Sequence, residues 1–181
     1  MKTLIYFFAI VMLLFAGCAK DEMFNDNQNS FELKKAKVPI PMKADFCAAP
    51  DMTSEMIPFP GVPDTYVPSK MIISGTGTHI GKIDTEKSFY RIEVFEIIME
   101  DQIPILFQSG KGYIVAANGD SFDYAWWAKA SLPDLNYIGG IELQGGTRKF
   151  EGCSGTLDMS GKINQETLLN CFTVGGMMKF N

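Results

Sequence analysis

The chain has a single histidine, His79. That scarcity argues against the commonest metal centres, which draw on several imidazoles or closely spaced thiolates. The cysteines stand far apart and the carboxylates are scattered, so no metal and no cofactor is expected. Basic runs are also missing. Sixteen Lys and Arg against 21 Asp and Glu leave a formal net charge of −5, and with no basic stripe, nucleic acid is not an expected partner. No stretch sustains a helical period, and glycines interrupt each candidate. Phosphate sites lean on helix N-termini, so their absence weakens any nucleotide-binding reading. Long apolar runs are lacking too: Leu4–Phe15 is the longest and falls short of the roughly 20 residues that span a bilayer.

That short run is nevertheless informative. It follows the positive Lys2 and leads into "LFAGC", which ends at Cys18. The order of charge, apolar run, small residues and cysteine resembles the lipobox of bacterial lipoproteins. The resemblance implies that residues 1–17 are a signal peptide and that Cys18 is acylated. Such a chain is exported and held by its lipid rather than spanning the membrane. Residues 18–35 are polar, carry no apolar period, and read as a flexible tether. Within them, Lys20, Asp21 and Glu22 resemble the acidic signal that sends some lipoproteins to the exposed face of the bacterial outer membrane. An ordinary acidic tether explains the same residues. The membrane is thus the expected partner through the lipid anchor, and no protein partner is indicated.

From Ala36 onward strand signals dominate. "KVPIPMKADFCAA" reads as a proline-marked edge strand. A proline-rich loop follows from Pro50 to Pro68, long enough to carry function or to move. "SKMIISGTGTHIGKI" and "SFYRIEVFEIIM" are β-branched and aromatic runs. In "GYIVAANGDSFDYAWW", Asn118-Gly119 predicts a two-residue hairpin turn. That register places Tyr113, Val115, Phe122, Tyr124 and Trp126 on one face, the more apolar and therefore the inner one, with Asp120 at its rim. Ile114, Ala116, Ser121, Asp123 and Trp127 take the other face. Trp127 is then either exposed or covered by the proline-rich loop. Three cysteines follow Cys18, so they cannot all pair within the chain. Cys153 and Cys171 are equidistant from Lys162, and a hairpin centred there would oppose them and permit a disulfide. Two free, buried cysteines are the alternative.

Two glycine-rich stretches invite a phosphate-loop reading, and both fail it. "GTGTHIGK" (Gly75–Lys82) has the wrong spacing for a P-loop and for the dinucleotide fingerprint. "GGTRKFEGCSG" (Gly145–Gly155) has no helix after it, and its glycines suit a turn and a sharply curved strand. The motifs "THIGK", "AANGD" and "GGTRKFEGCSG", in this order, resemble a family of small bacterial exported proteins whose last segment is similar to that of allene oxide cyclases and dirigent proteins. The resemblance runs from about Met71 to Thr156, and departs at Arg148 and Cys153, where the pattern has glycine and a small residue. It implies a calycin-like antiparallel barrel and supplies no catalytic residue that transfers by position.

The expected fold is therefore all-β: a single antiparallel β-barrel of about eight strands over residues 36–181, calycin or allene oxide cyclase-like. A barrel of that size holds one small ligand or is filled by its own side chains. Three functions follow. The favoured one is a binding module for a small apolar or aromatic ligand, contacted by His79, Tyr113, Asp120, Phe122, Tyr124 and Trp126. The second is a structural or interaction lipoprotein with a filled barrel. The third is a cyclase- or isomerase-like enzyme using the cavity, with His79 or a carboxylate moving a proton. No catalytic constellation appears, and a Cys47–His79 pair matches no nucleophile signature, so catalysis is the least favoured. His79 alternates with Met71, Ile73, Gly75 and Gly77, which would put it on their face, either in the pocket or as a hydrogen-bonded structural residue.

Overall fold

The computed structural model describes residues 38–132, 134–164 and 166–180. The signal peptide, Cys18 and the tether expected from the sequence lie outside the described residues. Eleven strands follow one another: β1 (Ile40–Pro50), β2 (Met56–Pro58), β3 (Tyr66–Pro68), β4 (Lys70–Gly77), β5 (Gly81–Lys82), β6 (Phe89–Glu100), β7 (Ile103–Val115), β8 (Ser121–Ser131), β9 (Asn136–Gly146), β10 (Ser154–Ile163) and β11 (Asn170–Lys179). The main sheet runs β1-β11-β10-β9-β8-β7-β6-β4-β5, and β1 pairs with β4 again, leaving the short β5 as an appendage on β4. All these pairings are antiparallel, so eight strands close into a ring. The small β2–β3 hairpin forms its own sheet.

The expected edge strand is not an edge. β1 pairs with β11 over Ile40–Ala48 and with β4 over Ala44–Pro50. Pro41 is tolerated because it precedes the segment that meets β4, so its missing N–H costs no bond on that side.

The hairpin at Asn118-Gly119 also differs from expectation. Gly119 has φ +86°, whereas Asn118 is not in the left-handed region. A type I′ turn needs both central residues there. Instead Gly119 N–H bonds Ala116 O, and Ala116 N–H bonds Asp120 O, as in a three-residue loop closed by a glycine bulge. The register shifts by one: Ile114 faces Phe122, Tyr113 faces Asp123, and Gly112 faces Tyr124. A one-residue change in one strand of a pair exchanges its faces. Ile114 therefore lies in the core, and Tyr113 lies outside, donating its hydroxyl to Ser121 Oγ at 2.9 Å. Val115 is buried, but on that outer face and apart from the central core.

The cysteines pair in a third way. Cys47 on β1 is bonded to Cys171 on β11, which stands directly opposite it. Cys153 is free and buried. The β10–β11 connection turns later than Lys162, because the Asn164 side chain accepts from the backbone N–H groups of Glu166 and Thr167 and fixes an Asx turn there. Lys162, rather than Cys153, then faces Cys171.

The inner residues set the shape of the interior. Along β8 the inward row reads Phe122, Tyr124, Trp126, Ala128, Ala130. The β7 partners complement it: Gly112 faces Tyr124, Gly110 faces Trp126, and Gln108 faces Ala128. Large rings thus fill one half of the ring, and small residues line the other. The filled end is stoppered by Phe150, from the short 3-10 turn Arg148–Phe150, which is 1% exposed and packs on Phe122 and Phe180. Burial of such a ring contributes roughly 1.5–3 kcal/mol. The "GGTRKFEGCSG" stretch is therefore the end of β9, this stopper, and the bent start of β10. Gly155 has φ +152°, and a Cβ there would sit 2.3 Å from Met177 O, so only glycine permits the bend.

Candidate functional site

The open half of the ring holds a cavity of about 330 Å³, within the range of roughly 300–1,000 Å³ typical of small-molecule sites. Its mouth is apolar. Phe59 and Val67 reach it from the segment around the β2–β3 hairpin, Met71 from β4, Ile92 and Phe95 from β6, Ile163 from the end of β10, and Leu132, Leu135 and Leu168 from the turns. Phe59 meets Phe95 edge to face at 5.2 Å. Phe95 points inward because a bulge between Ile92 and Val94 shifts β6 by one residue. The bulge needs Gly110 opposite it: a Cβ there would stand 2.0 Å from Arg91 O.

Below the mouth the cavity narrows to a pocket of about 30 Å³ lined by Tyr90, Gln108, Tyr124, Trp126, Tyr137 and Asn170, with Leu106, Ala128 and Ala130 around them. Tyr137 donates its hydroxyl to Asn170 Oδ1 at 2.5 Å, and Asn170 Nδ2 donates to the Tyr90 oxygen at 3.5 Å. The Tyr90 and Trp126 rings lie 4.8 Å apart. Trp126 is 7% exposed, and its Nε1–H, itself buried, has no hydrogen-bond partner among the described residues. Deeper still, Ile114, Phe122, Ile141, Leu157 and Phe172 leave only about 10 Å³ between them, and there the interior is packed.

Burial governs the protonation of the site. It pushes the Tyr90 phenol up to about 12, with the Asn170 hydrogen bond opposing. It raises Tyr124 well above the ordinary tyrosine value, helped by nearby Tyr90, and it raises Tyr137 as well. These three groups are neutral hydroxyls at physiological pH. The described lining contributes no carboxylate, imidazole, amine, guanidinium or thiol.

Of the residues singled out from sequence, Tyr124 and Trp126 line the narrow pocket. Phe122 faces inward but belongs to the packed centre. Tyr113 is on the outer face. His79 is a correction: β4 ends at Gly77, and His79 sits in the following turn at φ +66°, exposed, with Nε2 3.2 Å from Pro41 O. The alternation that placed it with Ile73 stops where the strand stops. Asp120 is buried at the closed end, away from the cavity, held by Asn118 Nδ2 at 2.9 Å and facing Arg148 at 3.8 Å. Trp127 points outward, 42% exposed, its ring lying over Gly140.

The sequence reading missed Tyr90, Gln108, Tyr137 and Asn170. Gln108 was detectable as the one polar residue on the inward row of β7. Asn170 and Tyr90, separated by 80 residues, had no local signal.

The stretches "THIGK", "AANGD" and "GGTRKFEGCSG" meet at the closed end. Lys149 Nζ donates to His79 O at 2.8 Å, Arg148 Nη1 reaches Asn118 O at 3.3 Å, and Ala117 N–H donates to Lys82 O at 2.9 Å. They build the stopper and leave the cavity to other residues. No known protein family, no curated protein and no solved structure matches the chain.

Proposed function

We propose that this chain is an exported lipoprotein, acylated at Cys18 and tethered to the bacterial outer membrane, whose ring of strands is a calycin-type β-barrel that binds one small apolar or aromatic molecule. The observation that carries the reading is the half-filled interior. Phe122 and Phe150 pack one end, while at the other an apolar cavity of about 330 Å³ opens above the narrow pocket that Ala128 and Ala130 line. Close packing is the norm for protein interiors, so a cavity of this size, apolar at the mouth and polar at its floor, favours a ligand over a filled scaffold.

Export is supported by the leader and by the Cys47–Cys171 bond, since such bonds persist in oxidising compartments. The resemblance carried by the three motifs supports the calycin reading. Binding is favoured over catalysis because the cavity groups that titrate are tyrosines raised by burial, and a general base for neutral pH needs a value near 7.

The test is titration of the full chain with the neutral aromatic fluorophore N-phenyl-1-naphthylamine. Saturable binding of one probe per chain is expected, weakened at least about tenfold in Ile92→Trp, which puts an indole into the 330 Å³ cavity. Unsaturable binding, or binding indifferent to that substitution, would sink the reading.

A further inference from the structure

The floor of the cavity has an imbalance of hydrogen-bonding groups. Tyr137 gives its proton to Asn170, and Asn170 gives one of its own to the Tyr90 oxygen. The chain of donors ends at Tyr90, whose own proton has no acceptor among the described side chains. Beside it lies the second unmatched donor, the buried Trp126 Nε1–H. Leaving a buried N–H unpaired is costly, and native interiors rarely accept that without an occupant. Tyr90 and Trp126 both line a space of about 30 Å³, room for a carbonyl group or one water but not for a ring. Above it the walls are Phe59, Met71, Ile92, Phe95 and Leu132. No cation lines either part, and an unpaired anion would be strongly disfavoured there.

Resting on the binding reading, we infer that the ligand is a neutral, mostly apolar compound with one deep hydrogen-bond acceptor, a ketone, ester or amide carbonyl, seated between Trp126 Nε1–H and the Tyr90 hydroxyl. Its apolar body occupies the mouth. Tyr137 and Asn170 are positioning residues: they engage the Tyr90 oxygen as an acceptor and so leave its proton for the ligand.

The experiment compares acetophenone, ethylbenzene and benzoate on the full chain by NMR titration, following the Trp126 indole N–H resonance, which Trp127→Phe identifies by removing the other indole. Acetophenone is expected to move that resonance downfield and to bind about twofold to tenfold more tightly than ethylbenzene, the gain of one net hydrogen bond. Benzoate is expected to bind most weakly. In Trp126→Phe, which keeps a ring, the advantage of acetophenone over ethylbenzene should shrink. Tyr90→Phe should act in the same sense if Trp126→Phe fails to fold. Equal binding of acetophenone and ethylbenzene with an unmoved indole would overturn the inference, since a resident water then meets the N–H, yet leave the binding reading standing. Tightest binding by benzoate would overturn it as well. If none of the three binds at millimolar concentration, the binding reading itself falls.

Discussion

Gly112 and Gly110 are neighbours on the inward row of β7, yet their side chains are missing for different reasons. A Cβ on Gly112 would lie 2.0 Å from Tyr124 Cζ, and one on Gly110 would lie 2.0 Å from Arg91 O. The first obstacle is a side chain and the second is backbone. Gly112→Ala should destabilise by about 1–3 kcal/mol, as overpacking usually does, and Tyr124→Leu should recover part of that loss. Gly110→Ala should not be recovered by any substitution at Trp126, its cross-strand partner. Urea unfolding of the single and double variants measures both. Asp51 also acts at this scale. Its carboxylate accepts from the Thr53 hydroxyl at 2.6 Å, pairs with Lys70 at 3.1 Å and accepts from Thr53 N–H. Together these hold it down to about 2 from an ordinary 3.8. A depressed carboxylate stabilises the folded state above its unfolded value and ceases to do so as pH falls through the folded one. The base of the β2–β3 hairpin should therefore hold at pH 4 and above and loosen toward pH 2. Amide exchange of Ser54 and Lys70 follows it, and Asp51→Asn should remove the pH dependence.

Among the elements, β1 and β11 depend most on a covalent bond. Cys47–Cys171 encloses a sequence separation of 124 residues, for which the chain-entropy account gives about 5 kcal/mol of stabilisation. The double variant Cys47→Ala/Cys171→Ala should lose about 3–5 kcal/mol in denaturant titration. A loss under 1 kcal/mol would mean that the β1–β11 ladder suffices without it. Cys153 behaves differently. It is buried, and burial raises its thiol, so it should resist thiol reagents in the folded chain and react on unfolding. The cysteine pattern was only partly legible. Three cysteines announced an unpaired one, but the choice between partners depended on where β10 turns, and that was decided by the Asn164 side chain rather than by symmetry about Lys162. The alternation in β8 was legible, because period two sends Phe122, Tyr124 and Trp126 to one face whatever the partner. The faces of β7 were not, because they hang on one residue of loop length at Asn118-Gly119.

The described residues form a ring with one packed end and one open end, and its alkaline behaviour should report both. Tyr90, Tyr124 and Tyr137, three of the six tyrosines in the chain, are raised by burial. Groups raised in the folded state favour it below their unfolded value and oppose it as pH rises beyond. Stability should therefore decline above about pH 10. Absorbance at 295 nm should show part of the tyrosine signal delayed until the ring opens. Coincident, unretarded ionisation of all the tyrosines would contradict the buried floor.

The sequence alone determined the class of the structure. Alternating β-branched and aromatic residues, with no helical period, leave antiparallel strands as the simplest way to bury this much apolar surface, and the taper from Phe122 to Ala130 was already written along β8. Tertiary structure alone decided which end is open, which cysteines meet, that His79 lies outside, and that Tyr90, Tyr137 and Asn170 come together beneath the mouth. Those outcomes rest on strand register between segments far apart in the chain. A shift of one residue there exchanges inside for outside, and no local pattern encodes it.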